Sequence, residues 1–153
     1  MSINEALSQT ELPTRRKLVS PPKEYQELAG NLLSALANGS RESIKPSISA
    51  LVSAGGVELV IPLLEDPSDV VKQEAAHALK IVKTKRVAKA LLSAIPSNDV
   101  AVRGGDEALL LRRETRGVFI DVLSHLFGTP IYENWTNEEL KERIERRIIK
   151  MPD

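Results

Sequence analysis

The chain of 153 residues has the length of one domain, and a domain of this size buries roughly 70% of the surface that its unfolded form exposes. Its 21 Lys and Arg residues balance its 21 Asp and Glu residues, so no global field attracts nucleic acid or an anionic membrane. No run approaches the roughly 20 apolar residues that cross a bilayer, and without cysteine there is no disulfide or thiolate site, so we expect a cytoplasmic protein without a membrane contact.

The N-terminal part of the chain differs from the rest in its pattern. Residues 1–21 are polar and show no sustained apolar period, which predicts a flexible arm. Residues 22–153 are predicted to form a single helical-repeat domain. Its first helix begins near Glu24 and ends at Gly39, because apolar residues recur at three- and four-residue spacing at Tyr25, Leu28, Leu32, Leu33 and Leu36.

Two further helices follow before the first clear turn. One begins near Glu42 or Ser43 and ends at the glycine pair 55–56, so that Pro46 falls in its first turns. The next covers residues 57–64 and is apolar on most sides, and Pro62 is expected to kink it. This second helix therefore needs neighbours on more than one side.

The second half of the chain is predicted to contain four helices. The first two run from Asp69 to about Val82 and over residues 85–95, and a break near residues 96–105 follows. A longer helix covers residues 106–127, with a core face of Leu111, Val118, Phe119, Val122, Leu123 and Leu126. Thr136 and Glu139 form a capping box that starts the last helix. No segment alternates as a strand does, and the fold class is therefore all-α.

Residues 55–79 resemble a HEAT or armadillo repeat unit. The resemblance consists of a proline in the first helix, two leucines before an aspartate turn, a valine followed by a basic residue, an alanine pair and a closing leucine, namely Pro62, Leu63, Leu64, Asp66, Val71, Lys72, Ala75, Ala76 and Leu79. It implies a short α-solenoid of about three hairpins, beginning near Tyr25, Val57 and Lys85, plus a C-terminal capping helix.

The resemblance also implies a function, because the second helices of such repeats line up along one binding surface. We therefore expect a protein-interaction module or adaptor, without enzyme activity, cofactor or metal, that binds a partner protein or an acidic partner segment. The predicted contact residues are the exposed positions of the second helices and a basic edge further on: Lys72, Gln73, His77, Lys80, Arg112, Arg113 and Arg116. The open ends of a short stack also allow a homo-oligomer.

Two other functions stay open at this point. Basic residues are locally in excess at Lys83, Lys85, Arg86, Lys89, Arg103, Arg112, Arg113 and Arg116, which is compatible with a nucleic-acid-binding helical repeat. Against it, the aromatic residues fall at core or capping positions instead of forming a stacking platform. The other alternative is a HEAT-like lyase, chaperone or glycosylase. Only His77 and His125 are available for acid–base or metal chemistry, and we read both as exposed helix residues.

Overall fold

The computed structural model describes residues 22–96, 105–131 and 135–152, with positions 105 and 106 described by their backbone alone. Over these ranges the chain is all-α, as predicted, with seven α-helices, two 3₁₀ segments and no strand. The predicted arm at residues 1–21 and Arg103 lie outside the described residues. The chain divides into two compact units, Met1–Ala78 and Leu79–Asp153. The single domain over residues 22–153 stays a prediction.

The first unit begins with a packed helical pair. A 3₁₀ turn, Lys23–Tyr25, leads into α1 (Gln26–Asn38), and α2 (Arg41–Ser53) packs against α1. Gly39 ends α1 in the left-handed conformation at φ 78°, as the sequence indicates. The Tyr25 hydroxyl donates a hydrogen bond to the Ala54 carbonyl at 3.3 Å, which joins the start of α1 to the end of α2.

The end of α2 is held by its glycine pair. The Gly56 N–H donates to the Leu51 carbonyl at 2.7 Å, and the Gly55 N–H donates to the Val52 carbonyl at 3.0 Å. This is the Schellman arrangement, which requires a left-handed residue, and Gly55 supplies it at φ 92°. The glycine pair therefore ends the helix in the way that the sequence predicts.

Pro62 has a larger effect than the kink predicted for it. The α-helix α3 is only Val57–Val60, and the chain continues as the 3₁₀ segment Ile61–Glu65. Because proline has no N–H, it cannot bond the carbonyl four residues earlier, and a tighter i to i+3 pattern takes over. Leu63 and Leu64 are both buried in this segment, so the apolar stretch packs as the sequence predicts.

The helix α4 (Asp69–Leu79) follows a hydrogen-bonded turn. An Asp66 carboxylate oxygen accepts from the Ser68 N–H at 2.9 Å, and the Ser68 hydroxyl accepts from the Val71 N–H at 3.4 Å. Ser68 thus caps the helix. The helix ends three residues before the predicted Val82, and Ile81 beyond its end is largely exposed.

The second unit contains α5 (Lys85–Ala94), α6 (Gly105–Phe127) and α7 (Asn137–Ile148), and α5 packs against both of the others. The capping box that starts α7 is confirmed: the Glu139 N–H donates to the Thr136 hydroxyl at 3.1 Å, and the Thr136 N–H donates to the Glu139 carboxylate at 3.3 Å. The Lys85 N–H donates to the Pro152 carbonyl at 2.7 Å, which ties the residues after α7 to the start of α5.

The core face predicted for α6 agrees with the structure in the second half of the helix and is wrong in the first half. Phe119, Val122, Leu123 and Leu126 are buried as predicted, whereas Val118 is only partly buried and Leu111 is 36% exposed. One turn later, Thr115 and Arg116 are buried in polar contacts. The hydropathy pattern could not show this reversal, because it assigns polar residues to the solvent side.

Candidate functional site

The residues predicted as contacts on and after α4 divide into exposed and buried positions. His77 is exposed, and Lys72 and Lys80 are partly exposed. The Lys72 ammonium lies 3.9 Å from an Asp69 carboxylate oxygen, one turn earlier. A pair of this kind stabilises a helix by a few tenths of a kcal/mol, about 0.2–0.5.

The expectation that Gln73 is exposed is wrong, because it is only 1% exposed. Its side-chain oxygen accepts a hydrogen bond from Arg41 Nη2 at 2.9 Å. A buried amide needs hydrogen-bond partners, and Arg41 at the start of α2 provides one. Gln73 therefore belongs to the interior of the first unit and cannot contact a partner directly.

The same arginine also holds Glu74. Arg41 Nη1 lies 3.2 Å from a Glu74 carboxylate oxygen, and the Glu74 side chain is buried while that of Arg41 is half exposed. One guanidinium thus joins α2 to two consecutive residues of α4. The partners are more than thirty positions apart in the sequence, so helical spacing gave no sign of this cluster.

The expectation that Arg116 lies on an exposed basic edge is also wrong, since Arg116 is 4% exposed. Its guanidinium donates to the Pro96 carbonyl at 2.6 Å, to the Asn137 side-chain oxygen and to the Trp135 carbonyl. Asn137 in turn donates to the Ile95 carbonyl at 3.2 Å. A planar group with five N–H donors can satisfy several buried carbonyl groups at once, which explains why an arginine occupies this position.

The first half of α6 retains part of the predicted surface. Arg113 is exposed and Arg112 is partly exposed. Leu110, 62% exposed, lies beside them in the sequence, together with Leu111. This part of α6 therefore presents apolar and cationic side chains together, a composition that is common where proteins contact each other.

A groove that the sequence analysis missed runs between α5 and α7. Its volume is about 470 Å³, and its walls are formed by Lys89, Leu92, Ser93, Lys141, Glu145, Ile148 and Ile149. Leu92 and Ile148 are buried, and Ile149 at the groove is 71% exposed. The signal in the sequence was the pair Ile148–Ile149, since two neighbouring residues of a helix cannot both face the same core.

A second concavity lies beside Trp135, with a volume of about 310 Å³. The Arg143 guanidinium carbon stands 4.5 Å from the centre of the Trp135 ring, a cation–π contact. Arg146 and Arg147 line the same hollow, which also includes Glu142 and the buried Ile131 and Ile144. We call this concavity the Trp135 hollow.

His77 and His125 are both exposed, and no group of three His, Asp or Glu residues in the described ranges could hold a metal ion. None of the helices in the part that the structure describes is long and apolar enough to cross a membrane. The groove and the hollow both combine apolar walls with cations.

Comparisons of the chain with protein-family models, with curated proteins and with solved structures find no match. The resemblance of residues 55–79 to a HEAT or armadillo unit therefore stays a prediction.

Proposed function

We propose that this protein is a protein-interaction module that binds a segment of a partner protein in the groove between α5 and α7. The observation that carries the proposal is the groove itself, with buried Leu92 and Ile148 in its walls and the exposed Ile149 at its edge. A volume of about 470 Å³ is within the range of about 300–1,000 Å³ that is common for binding clefts.

Apolar contact supplies the attraction in this proposal. Ile149 is 71% exposed, so most of its apolar surface is in contact with water in the free protein. Full burial of an isoleucine side chain contributes about 1.5–3 kcal/mol. A partner side chain that enters the groove against Leu92 and covers Ile149 recovers much of this free energy, which makes Ile149 the first residue to test.

Charge determines what kind of segment fits. Lys89 reaches the groove from α5 and Lys141 from α7, whereas Glu145 is the only acidic residue among the described residues of its walls. Complementary charge at the edge of an interface raises the association rate and disfavours partners of the wrong sign. An acidic segment with one or two apolar side chains matches this arrangement best.

The wider surface in our proposal keeps the residues that are accessible. They are Lys72 and His77 in the first unit and, separately, Lys80, Arg112 and Arg113 in the second, whereas the buried Gln73 and Arg116 are removed. We further propose a cytoplasmic protein whose hairpins form a short solenoid of the HEAT or armadillo kind. Packing of α1 on α2, of α2 on α3 and of α5 on α6 supports this arrangement, because adjacent packed helices are its building unit.

Affinity capture with charge-reversal variants tests the proposed function. The tagged double variant Lys89→Glu/Lys141→Glu reverses both cations of the groove. We expect it to retain less than about a tenth of the partner that the wild-type chain captures, because the two introduced glutamates repel an acidic segment. The variant Ile149→Ser tests the apolar part, and we expect it to reduce capture severalfold.

The matched control is Lys45→Glu/Lys83→Glu, which changes the net charge equally at two exposed lysines outside the groove. We expect this control to capture the partner at the wild-type level. If both double variants lose the partner equally, capture depends on overall charge and the groove is not the binding site. Circular dichroism of each variant shows whether its helices are intact.

A further inference from the structure

We propose that the Trp135 hollow is a second binding site, specific for an acidic peptide segment whose carboxylates contact Arg146 and Arg147. The inference rests on the proposed function in one respect, namely that the ligand is a protein segment. It concerns different residues, because none of the residues that line this hollow lines the groove between α5 and α7.

The geometry combines an apolar base with a cationic edge. Ile131 and Ile144 are buried in the wall of the hollow, and the Trp135 ring forms a further apolar surface. A volume of about 310 Å³ accommodates a few side chains of a peptide. An apolar ligand side chain can therefore contact the ring while neighbouring carboxylates reach the arginines.

The charges favour an anion. Three arginines and one glutamate line the hollow, and all four are exposed. In the ranges that the structure describes, no carboxylate forms an ion pair with Arg146 or Arg147. Guanidinium groups bind carboxylates through two parallel hydrogen bonds, which are roughly twice as strong as neutral ones. The two arginines thus have donors available for a ligand.

Hydrogen bonds and a cation–π contact fix the position of Trp135 in the hollow. The Trp135 carbonyl accepts a hydrogen bond from the buried Arg116, and Arg116 also contacts Asn137 in the first turn of α7. Arg143 covers one part of the ring through its cation–π contact. A ring that is positioned before binding loses little conformational freedom on binding, which favours affinity.

An acidic peptide fits these observations better than a nucleic acid does. A nucleic acid needs a row of cations along its backbone and several stacking rings, whereas the described lining of the hollow contains one aromatic ring and two buried isoleucines. The net charge of the chain is also zero, so no extended field would attract a polyanion. The other class of ligand is tested as an alternative below.

Tryptophan fluorescence tests the proposal, since Trp135 is the only tryptophan of the chain. The probe is a labelled twelve-residue peptide that alternates glutamate with leucine, and its control carries glutamine in place of glutamate. We expect the acidic peptide to change the Trp135 emission in a saturable manner and the glutamine peptide to have no effect. Anisotropy of the label measures the same Kd independently.

The decisive variant is Arg146→Gln/Arg147→Gln, which we expect to raise the Kd at least about tenfold, because charge-assisted hydrogen bonds are lost. The control Lys45→Gln/Lys83→Gln removes the same charge at exposed positions outside the hollow, and its Kd should stay within about twofold of the wild-type value. Equal losses in both variants would overturn the proposal.

Two further outcomes would also overturn it. In the first, a single-stranded oligonucleotide changes the Trp135 emission and the acidic peptide does not. This result would identify a nucleic-acid site. The other is no emission change with any probe. Partner capture separates this inference from the proposed function: if Arg146→Gln/Arg147→Gln binds the peptide normally while Lys89→Glu/Lys141→Glu loses the partner, the hollow is excluded and the groove stands.

Discussion

Replacement of Arg116 by methionine tests the role that the structure gives to this side chain. Arg116 is 4% exposed and donates hydrogen bonds to the carbonyl groups of Pro96 and Trp135 and to the side chain of Asn137. Methionine is about as long as the aliphatic stem of arginine and as flexible, but it has no guanidinium group and no donor. Three acceptors around a buried position therefore lose the group that satisfies them.

The expected loss of stability is large. A hydrogen bond that involves a charged group contributes about 1.5–3 kcal/mol, and a buried acceptor left without a donor costs about 1–3 kcal/mol. Water can satisfy some of the acceptors, and the apolar methionine offsets part of the loss. We therefore expect Arg116→Met to lower the free energy of unfolding by about 3–5 kcal/mol, a large part of the about 5–15 kcal/mol typical of a domain.

The assay is urea unfolding followed by tryptophan fluorescence. Trp135 lies in the second unit and its carbonyl contacts Arg116, so its emission reports the region that the substitution affects. The matched control is Arg113→Met, which makes the same change one turn earlier at an exposed position of α6. Exposed substitutions of this kind change stability by less than about 0.5 kcal/mol.

A difference of less than about 1 kcal/mol between Arg116→Met and the wild type would refute this reasoning. Such a result would mean that the carbonyl groups are satisfied by water alone, and that Arg116 does not hold α6 to the residues before α7. The assignment of Arg116 to the interior would then have to be withdrawn.

Three further predictions follow from other parts of the structure. The substitution Gly55→Ala should lower the free energy of unfolding by about 1 kcal/mol, measured by circular dichroism in urea, because Gly55 has φ 92°. Glu74→Ala should lower it by about 1–3 kcal/mol in the same assay, since Arg41 loses its carboxylate partner, and a wild-type midpoint would contradict this. The double variant Arg112→Glu/Arg113→Glu should unfold like the wild type but capture less partner, and unchanged capture would remove these arginines from the proposed surface.

Most of the fold could be predicted because local signals determine it. Gly39 and Gly55 end helices through left-handed backbone conformations that other residues adopt at a cost. The capping box at Thr136 and Glu139 is likewise a contact between residues three positions apart. Signals of this length are fully contained in the sequence, and each of them is present in the structure.

The candidate site could be predicted only in part, because burial of polar residues depends on distant partners. Gln73 is buried since Arg41, on another helix, reaches it. Arg116 is buried since carbonyl groups before and after α6 converge on it. Leu111, which was predicted to be in the core, is 36% exposed although it is apolar. The hydropathy period predicts whether each of these residues is buried from its own polarity alone. It contains no information about contacts with another segment.

The groove between α5 and α7 was missed for a related reason. Its walls combine residues from two helices that are separated by the whole of α6, and a concavity exists only once the two helices are packed. The sequence does contain one local indication, the exposed Ile149 directly after the buried Ile148. It shows that an apolar residue lies outside the core, without showing what surrounds it.

Site-specific photocrosslinking at position 149 is the most direct test of partner binding in the groove. A photoreactive amino acid replaces Ile149 in the full chain, and a second chain carries it at Ser53, which is exposed at the end of α2 and outside the groove. We predict that irradiation in a host extract links the chain to a discrete partner protein from position 149 and not from position 53, and that Lys89→Glu/Lys141→Glu abolishes this product. Equal products from both positions, or none from position 149, would contradict the proposed function.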